Sequence, residues 1–125
     1  MKRSVIALLC IFFLYGCEEV VFVDLQEAEK RIVIDASIKW IKGTDGSDQK
    51  IRISKTRGFY EEDPIPVTDA SVTITMPNDQ LITFTNDEDQ PGTYTTNEFL
   101  PELNETYELN VQAEGQQFRA TETLK

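Results

Sequence analysis

The sequence feature that most constrains the fold is an alternation of apolar and polar residues with a period of two, which begins at Arg31. In the segment 31–40, RIVIDASIKW, every second residue from Ile32 to Trp40 is apolar. Successive side chains of a β-strand point to opposite faces of a sheet, so this pattern predicts strands with one buried face. The same alternation recurs downstream, at residues 51–54, 71–76, 107–113 and 118–121.

Clusters of turn-forming residues separate these predicted strands. Glycine, proline, asparagine and aspartate are concentrated at residues 43–48, 77–79, 87–92 and 114–115. Short strands at such spacing are typical of antiparallel two-layer folds. The sequence therefore predicts an all-β domain over residues 31–125, an antiparallel β-sandwich of about seven strands that is Ig-like or transthyretin-like.

The last hairpin can be aligned from its turn. A two-residue turn at 114–115 places Val111 opposite Phe118 and, two residues further, Leu109 opposite Ala120. The apolar faces of the two strands then coincide, which favours this register.

The hairpin around Pro77 allows two registers. A two-residue turn would leave Ile82 and Phe84 outside, whereas a three-residue loop at 78–80 pairs Met76 with Ile82 and Ile74 with Phe84. Burying two large apolar side chains contributes roughly 3 to 6 kcal/mol, so we predict the three-residue loop. The predicted core consists of the inward-facing residues Ile34, Ile38, Val72, Ile74, Leu109, Val111 and Phe118.

The N-terminus has the order of residues found in a secretion signal. Lys2 and Arg3 precede an apolar run at residues 5–15. This run is shorter than the roughly 20 residues that a membrane-spanning helix needs, and it has the length of a signal-peptide core. We therefore predict a signal peptide over residues 1–16.

The end of that signal, LYGC at residues 14–17, resembles the bacterial lipobox. The resemblance implies that the chain is cut before Cys17, that Cys17 carries lipid, and that this lipid holds the protein on the membrane. Residues 17–30 would then comprise the lipidated cysteine and a tether. The alternative is that Cys17 is an incidental thiol beside an ordinary signal peptide or a short anchor. Cleavage would also remove Cys10, so no internal disulfide could form and stability would depend on the hydrophobic core.

The charge and composition argue against several classes of function. The chain has a formal net charge of −10 and no histidine. The acidic surface disfavours nucleic acid as a partner, and the lack of histidine excludes Ser-His-Asp and Cys-His catalysis. The acidic turns at 45–48 and 87–89 lack EF-hand spacing and are interpreted as solvated turns. We expect no enzymatic activity, no cofactor and no metal site.

Three aromatic residues are the candidates for contact with a partner or ligand. Phe59 and Tyr60 lie in a long connection, RGFYEEDPIPV at 57–67, where a simple turn would need no aromatic residue. Trp40 lies at the end of the first predicted strand. In the alternative interpretation, the loop aromatics cover the core and Trp40 packs in the core or at its rim.

Five segments carry a resemblance to a known family: RIVIDASI, IRISKTRGFY, PVTDASVTIT, PGTYTT and ETYELNVQAEGQQFRATETL. In order and spacing they resemble the N-terminal part of the domain of unknown function 4249 family, which are outer-membrane lipoproteins of Bacteroidetes-type bacteria. A transthyretin-like or carboxypeptidase-regulatory-like sandwich pattern is carried by Phe84, Gly92, Tyr94, Tyr107, Leu109 and Gly115.

The resemblance implies a lipid-anchored protein of the outer membrane that acts as a non-catalytic interaction module, accessory to a TonB-dependent transporter. It supplies no catalytic residues. Glu18 and Glu19 resemble the signal that sends such lipoproteins to the cell surface, or they belong to a solvated tether. Family members continue beyond Lys125, so we expect a fragment, a truncated product or a short relative. The alternative function is a glycan- or peptide-binding module of the cell surface.

Overall fold

The computed structural model describes residues 29–58 and 61–125. The predicted signal peptide, Cys17 and most of the predicted tether lie outside the described residues, as do Phe59 and Tyr60. The described residues form eight β-strands and no helix. The strands are β1 (Ile32–Ala36), β2 (Lys50–Lys55), β3 (Ile65–Pro66), β4 (Ser71–Thr75), β5 (Leu81–Asn86), β6 (Thr93–Thr95), β7 (Thr106–Ala113) and β8 (Gln116–Thr123).

All eight strands belong to one antiparallel sheet with the order β1-β2-β6-β5-β4-β7-β8, and β3 pairs with β2. Strand β5 joins the two halves of the sheet, because its first residues pair with β4 while Thr85 and Asn86 pair with β6. The sheet curls at β5, and residues from both halves pack into a single core. The prediction of an antiparallel all-β fold is confirmed. The extra strand relative to the predicted number is the two-residue β3.

The core contains twelve buried hydrophobic residues, which are Ile51, Ile53, Val67, Val72, Ile74, Ile82, Phe84, Tyr94, Phe99, Tyr107, Val111 and Ala113. Among the predicted core residues, Val72, Ile74 and Val111 are buried, while Ile34, Ile38, Leu109 and Phe118 are partly buried and pack against the core. These four belong to or flank the outermost strands of the sheet, β1 and β8, and the neighbouring β7. Among the described residues, the core is therefore less well covered on the side where β1 and β8 lie.

An aromatic cluster that the alternation did not predict lies at the centre of this core. Phe99, in the connection between β6 and β7, is fully buried. Its ring packs edge-on against Tyr107, with centroids 5.2 Å apart, and lies 6.1 Å from the ring of Phe84. The hydroxyl of Tyr107 accepts a 2.6 Å hydrogen bond from the backbone N–H of Glu102. This bond fixes the connection onto the start of β7, a contact similar to the tyrosine corner of β-sandwiches.

The predicted register of the last hairpin is confirmed. Val111 lies opposite Phe118, and Leu109 lies opposite Ala120. The two turn residues at 114–115 have φ angles of 49° and 74°. Positive φ at both positions is what a type I′ turn requires, and this turn matches the twist of the strands it joins.

The predicted register of the β4–β5 hairpin is wrong by two residues. Ile74 lies opposite Ile82 and not opposite Phe84. The turn closes earlier than predicted, because the N–H of Asp79 donates to the carbonyl of Met76 at 3.0 Å and Asp79 adopts a φ of 63°. A slip of two residues keeps the same side chains on the buried face, so burial alone could not distinguish the two registers.

Strand β1 is shorter than the alternation at 31–40 predicts, because it ends at Ala36. Beyond that point the side chain of Gln49 pairs with the backbone: its Oε1 accepts from Lys39 N–H at 3.0 Å, and its Nε2 donates to Lys39 C=O at 2.6 Å. Only 5 % of Gln49 is exposed. The Gln49 side chain thus forms the hydrogen bonds with Lys39 that a neighbouring strand would otherwise form. Trp40 therefore lies past the end of the sheet.

Candidate functional site

The candidate site is the end of the molecule where β1 and β8 finish and β7 begins, and we call it the Trp40 end. It is a concave surface of about 550 Å³ lined by Ile38, Trp40, Lys42, Gly43, Thr44, Leu103, Leu124 and Lys125. Trp40 is 41 % exposed and Leu103 is 53 % exposed. Large apolar side chains therefore meet solvent in a concave region.

Hydrogen bonds within one loop hold Trp40 in place. The indole Nε1 donates to the carbonyl of Thr44 at 2.9 Å, and the N–H of Thr44 donates to the carbonyl of Ile41 at 3.0 Å. The loop also packs against the β6–β7 connection, since a Cβ built on Gly46 would lie 3.0 Å from Pro101 Cγ and 3.7 Å from Trp40 Cδ1. The indole ring is thus positioned by its surroundings although much of it is exposed.

Two connections carry most of the exposed large apolar residues of the described chain. Six large hydrophobic residues of the described chain are exposed, and four of them belong to the β1–β2 and β6–β7 connections: Trp40, Ile41, Leu100 and Leu103. Single exposed hydrophobic residues are normal, whereas a group of them on one part of a surface is typical of an interaction site. The two connections that carry them contact each other through Gly46 and Pro101.

The charge of the Trp40 end differs from that of the whole chain. The chain has a formal net charge of −10. The described residues that line the concave surface include Lys42 and Lys125 but no aspartate or glutamate side chain. This arrangement suits a partner surface that combines apolar groups with negative charge.

A second feature is the gap between the outermost strands β1 and β8, which we call the open side. Among the described residues β1 pairs only with β2, and β8 pairs only with β7. A cavity of about 160 Å³ lies between the two strands and is lined by Ile34, Ala36, Leu109, Val111, Phe118, Arg119 and Ala120. Its lining is mostly apolar, and both strands have an edge that no described strand covers.

Of the predicted contact residues, the structure places only Trp40 in the candidate site. Phe59 and Tyr60 lie outside the described residues, between two residues joined by a hydrogen bond: the N–H of Gly58 donates to Glu61 Oε2 at 2.9 Å. The other carboxylate oxygen of Glu61 pairs with Lys30 Nζ at 2.8 Å. The hydrogen bond from Lys30, followed by that from Gly58, lowers the pKa of Glu61.

Three residues that complete the Trp40 end were not predicted from the sequence: Leu103, Leu124 and Lys42. These residues come from separate parts of the chain, and only the fold brings them together. The one available signal was the segment FLPEL at 99–103, in which apolar residues occur without alternation. A connection that places Phe99 in the core can at the same time expose Leu103.

Asp45 stabilises the turn that it begins. Asp45 Oδ1 accepts hydrogen bonds from the N–H and the hydroxyl of Ser47, at 3.0 and 2.6 Å, and these bonds lower the pKa of Asp45.

No group of three or more potential metal-ligating side chains occurs in the described part of the chain. Within the same ranges, no helix has the length and apolar character needed to cross a membrane.

The fold and this surface define a small antiparallel β-domain with an apolar, lysine-bearing end. More specifically, the chain belongs to the family described as Domain of unknown function (DUF4249), whose model matches residues 18–125. No curated protein and no solved structure matches the chain.

Proposed function

We propose that this protein is a lipid-anchored, non-catalytic interaction module of the outer membrane, which docks on another envelope protein through the Trp40 end. The observation that carries the proposal is the group of exposed apolar side chains around Trp40 and Leu103, next to Lys42 and Lys125. A transporter of the TonB-dependent kind is the proposed partner, in line with the family resemblance.

Lipid anchoring is proposed from the sequence LYGC at 14–17. An acylated Cys17 would hold the domain close to the membrane, since each buried CH₂ of a lipid chain contributes about 0.8 kcal/mol. A domain confined in this way meets membrane proteins at a high effective concentration. A modest apolar surface is then sufficient for docking.

Site-specific photocrosslinking in intact envelopes tests the docking surface. A photoreactive amino acid at Leu103 should crosslink to an outer-membrane transporter that mass spectrometry identifies. The matched control is the same amino acid at Gln117, an exposed position near the start of β8 and away from the Trp40 end. Equal crosslinking from both positions, or none from Leu103, would contradict the proposed docking surface.

A glycan-binding module is the second candidate, because the partly exposed Trp40 ring lines a concave surface. Aromatic rings in such positions can stack on sugar rings. Glycan-array binding by residues 18–125 that is lost in Trp40→Ala, together with no crosslinking from Leu103, would favour this candidate over protein docking.

A further inference from the structure

We propose that Gln49 positions Trp40, because the buried side-chain amide of Gln49 joins both parts of the β1–β2 connection and so preforms the Trp40 end. This role rests on the proposed function, since it concerns the same surface. Gln49 does not line the Trp40 end itself. It would therefore control docking through Trp40 and not through a contact with the partner.

The β1–β2 connection, residues 37–49, is long for a small domain and contains no strand. Connections of this length in compact domains are usually functional or disordered. This one carries most of the residues that line the Trp40 end, namely Ile38, Trp40, Lys42, Gly43 and Thr44. The shape of the Trp40 end therefore depends on the contacts that order this connection.

The side chain of Gln49 bonds to the connection at two separate points. Its Nε2 donates to Lys39 C=O at 2.6 Å and to Gly46 C=O at 2.7 Å, while its Oε1 accepts from Lys39 N–H at 3.0 Å. Lys39 directly precedes Trp40 in the first part of the connection, and Gly46 lies in the last part. Gln49 itself directly precedes β2. One amide thus ties both parts of the connection to the start of a central strand.

Only one orientation of the Gln49 amide satisfies these contacts. Both bonds from Nε2 use N–H groups, and the oxygen Oε1 faces an N–H. Turning the amide over would direct Oε1 at two carbonyl oxygens, and none of the three can donate. Gln49 is buried, so water competes little for these bonds, and their loss would leave buried polar groups unpaired. The amide and the connection therefore hold each other in place.

Further hydrogen bonds link Gly46 to the indole of Trp40 through Thr44. The N–H of Gly46 donates to Thr44 Oγ1 at 3.3 Å, and that hydroxyl donates to Ile41 C=O at 2.8 Å. The carbonyl of Thr44 accepts from Trp40 Nε1 at 2.9 Å. A displacement of Gly46 would therefore move the residue that holds the indole ring.

A connection that is ordered before binding favours docking. A flexible loop loses conformational freedom when a partner binds, and this loss weakens the affinity. Because Gln49 orders the connection in the free protein, the exposed ring of Trp40 is already in position. Removing the Gln49 amide should therefore weaken docking although every side chain that lines the Trp40 end is still present.

Hydrogen exchange of the indole N–H, followed by NMR on the purified full-length protein, tests the positioning role. Trp40 is the single tryptophan of the chain, so this signal reports on the site alone. Gln49→Met keeps a side chain of similar length but removes its three hydrogen bonds. The variant should accelerate exchange of the indole N–H by about tenfold or more. It should also lower the crosslinking yield from Leu103 in intact envelopes several-fold.

Two controls separate positioning from a general loss of stability. Gln117→Met makes the same chemical change at an exposed position of β8 and should leave indole exchange and crosslinking as in the parent. Val72→Ala removes methyl groups from a fully buried side chain of β4, which lowers the stability of the core without touching the connection. Indole exchange should stay close to that of the parent in this variant. Acceleration as large as in Gln49→Met would overturn the specific role of Gln49.

A further measurement needs no variant. In the parent, the Nε2 protons of Gln49 should exchange much more slowly than those of the exposed Gln117, because both are hydrogen-bonded. Equally fast exchange of the two amides, or unchanged indole exchange in Gln49→Met, would overturn the role of Gln49. Faster indole exchange with unchanged crosslinking would overturn its control of docking. The exchange measurements need no partner, so slow exchange in a parent that does not crosslink from Leu103 would contradict the docking surface and still support the positioning of Trp40.

Discussion

At the scale of single residues, Gly92 shows how neighbouring strands constrain one backbone position. Its φ is +80°, and a Cβ at this position would lie 2.8 Å from both Ile53 O and Pro66 Cβ. Its carbonyl accepts from Ile53 N–H at 2.8 Å, and its N–H donates to Asn86 Oδ1 at 2.8 Å. Its neighbours are therefore backbone and ring atoms that cannot rotate away.

We expect Gly92→Ala to destabilise the fold by about 2 kcal/mol or more, since a positive φ and a steric clash are combined. Gly43→Ala is the matched control: its φ is +94°, but no atom lies within 4 Å of the added Cβ. The control should lose less, about 1 kcal/mol, because only the positive φ is unfavourable there. Denaturant unfolding of both variants provides the comparison, and equal losses would show that the contact with Pro66 is unimportant.

Tyr94 is the second residue for which the structure predicts a distinct effect. Its buried hydroxyl donates to Val67 C=O and accepts from Ala70 N–H, both at 2.9 Å. Tyr94→Phe leaves both backbone groups without this partner and should cost about 1 to 3 kcal/mol. An unchanged denaturation midpoint would contradict this role.

The same substitution should change the dependence of stability on pH. Burial raises the pKa of Tyr94 above its ordinary value of 10.0. A raised pKa in the folded state means that the contribution is fully present below pH 10.0 and is lost as the pH rises through the folded value. The parent chain should therefore lose stability in alkali more steeply than Tyr94→Phe does. If stability fell equally steeply with pH in the two proteins, the loss in alkali would not come from ionisation of Tyr94.

At the scale of elements, the sequence predicts those features that depend on turn residues and on apolar alternation. The last hairpin was predicted with its register because two positive-φ positions and an apolar alternation agree there. The β4–β5 hairpin was placed two residues away, because both registers bury the same face. The early end of β1 depends on the side chain of Gln49, and Phe99 enters the core from an irregular connection. Neither of these contacts leaves a periodic signal in the sequence.

The assignment of faces in β4 leads to a stability prediction. Ile74 is buried in the core, and Thr73 points to the other face of the same strand. Ile74→Ala should cost about 2 to 5 kcal/mol, because it removes buried methyl groups and leaves a cavity. Thr73→Ala should have little effect. Thermal or denaturant unfolding that gives similar losses for both would mean that the faces are assigned incorrectly.

At the scale of the whole molecule, the candidate site was less predictable than the fold. Trp40 could be singled out in advance, but its neighbours Leu103 and Leu124 come from distant connections that the sheet brings together. The proposed docking depends on the proposed attachment of lipid at Cys17.

The measurement that tests this account most directly is therefore lipid labelling of the exported full-length chain. With a clickable palmitate analogue, the parent chain should be labelled and recovered in the outer-membrane fraction. Cys17→Ser should abolish the label and block maturation, whereas Cys10→Ser should change neither. A Cys17→Ser protein that is still labelled and still recovered with the outer membrane would contradict the account.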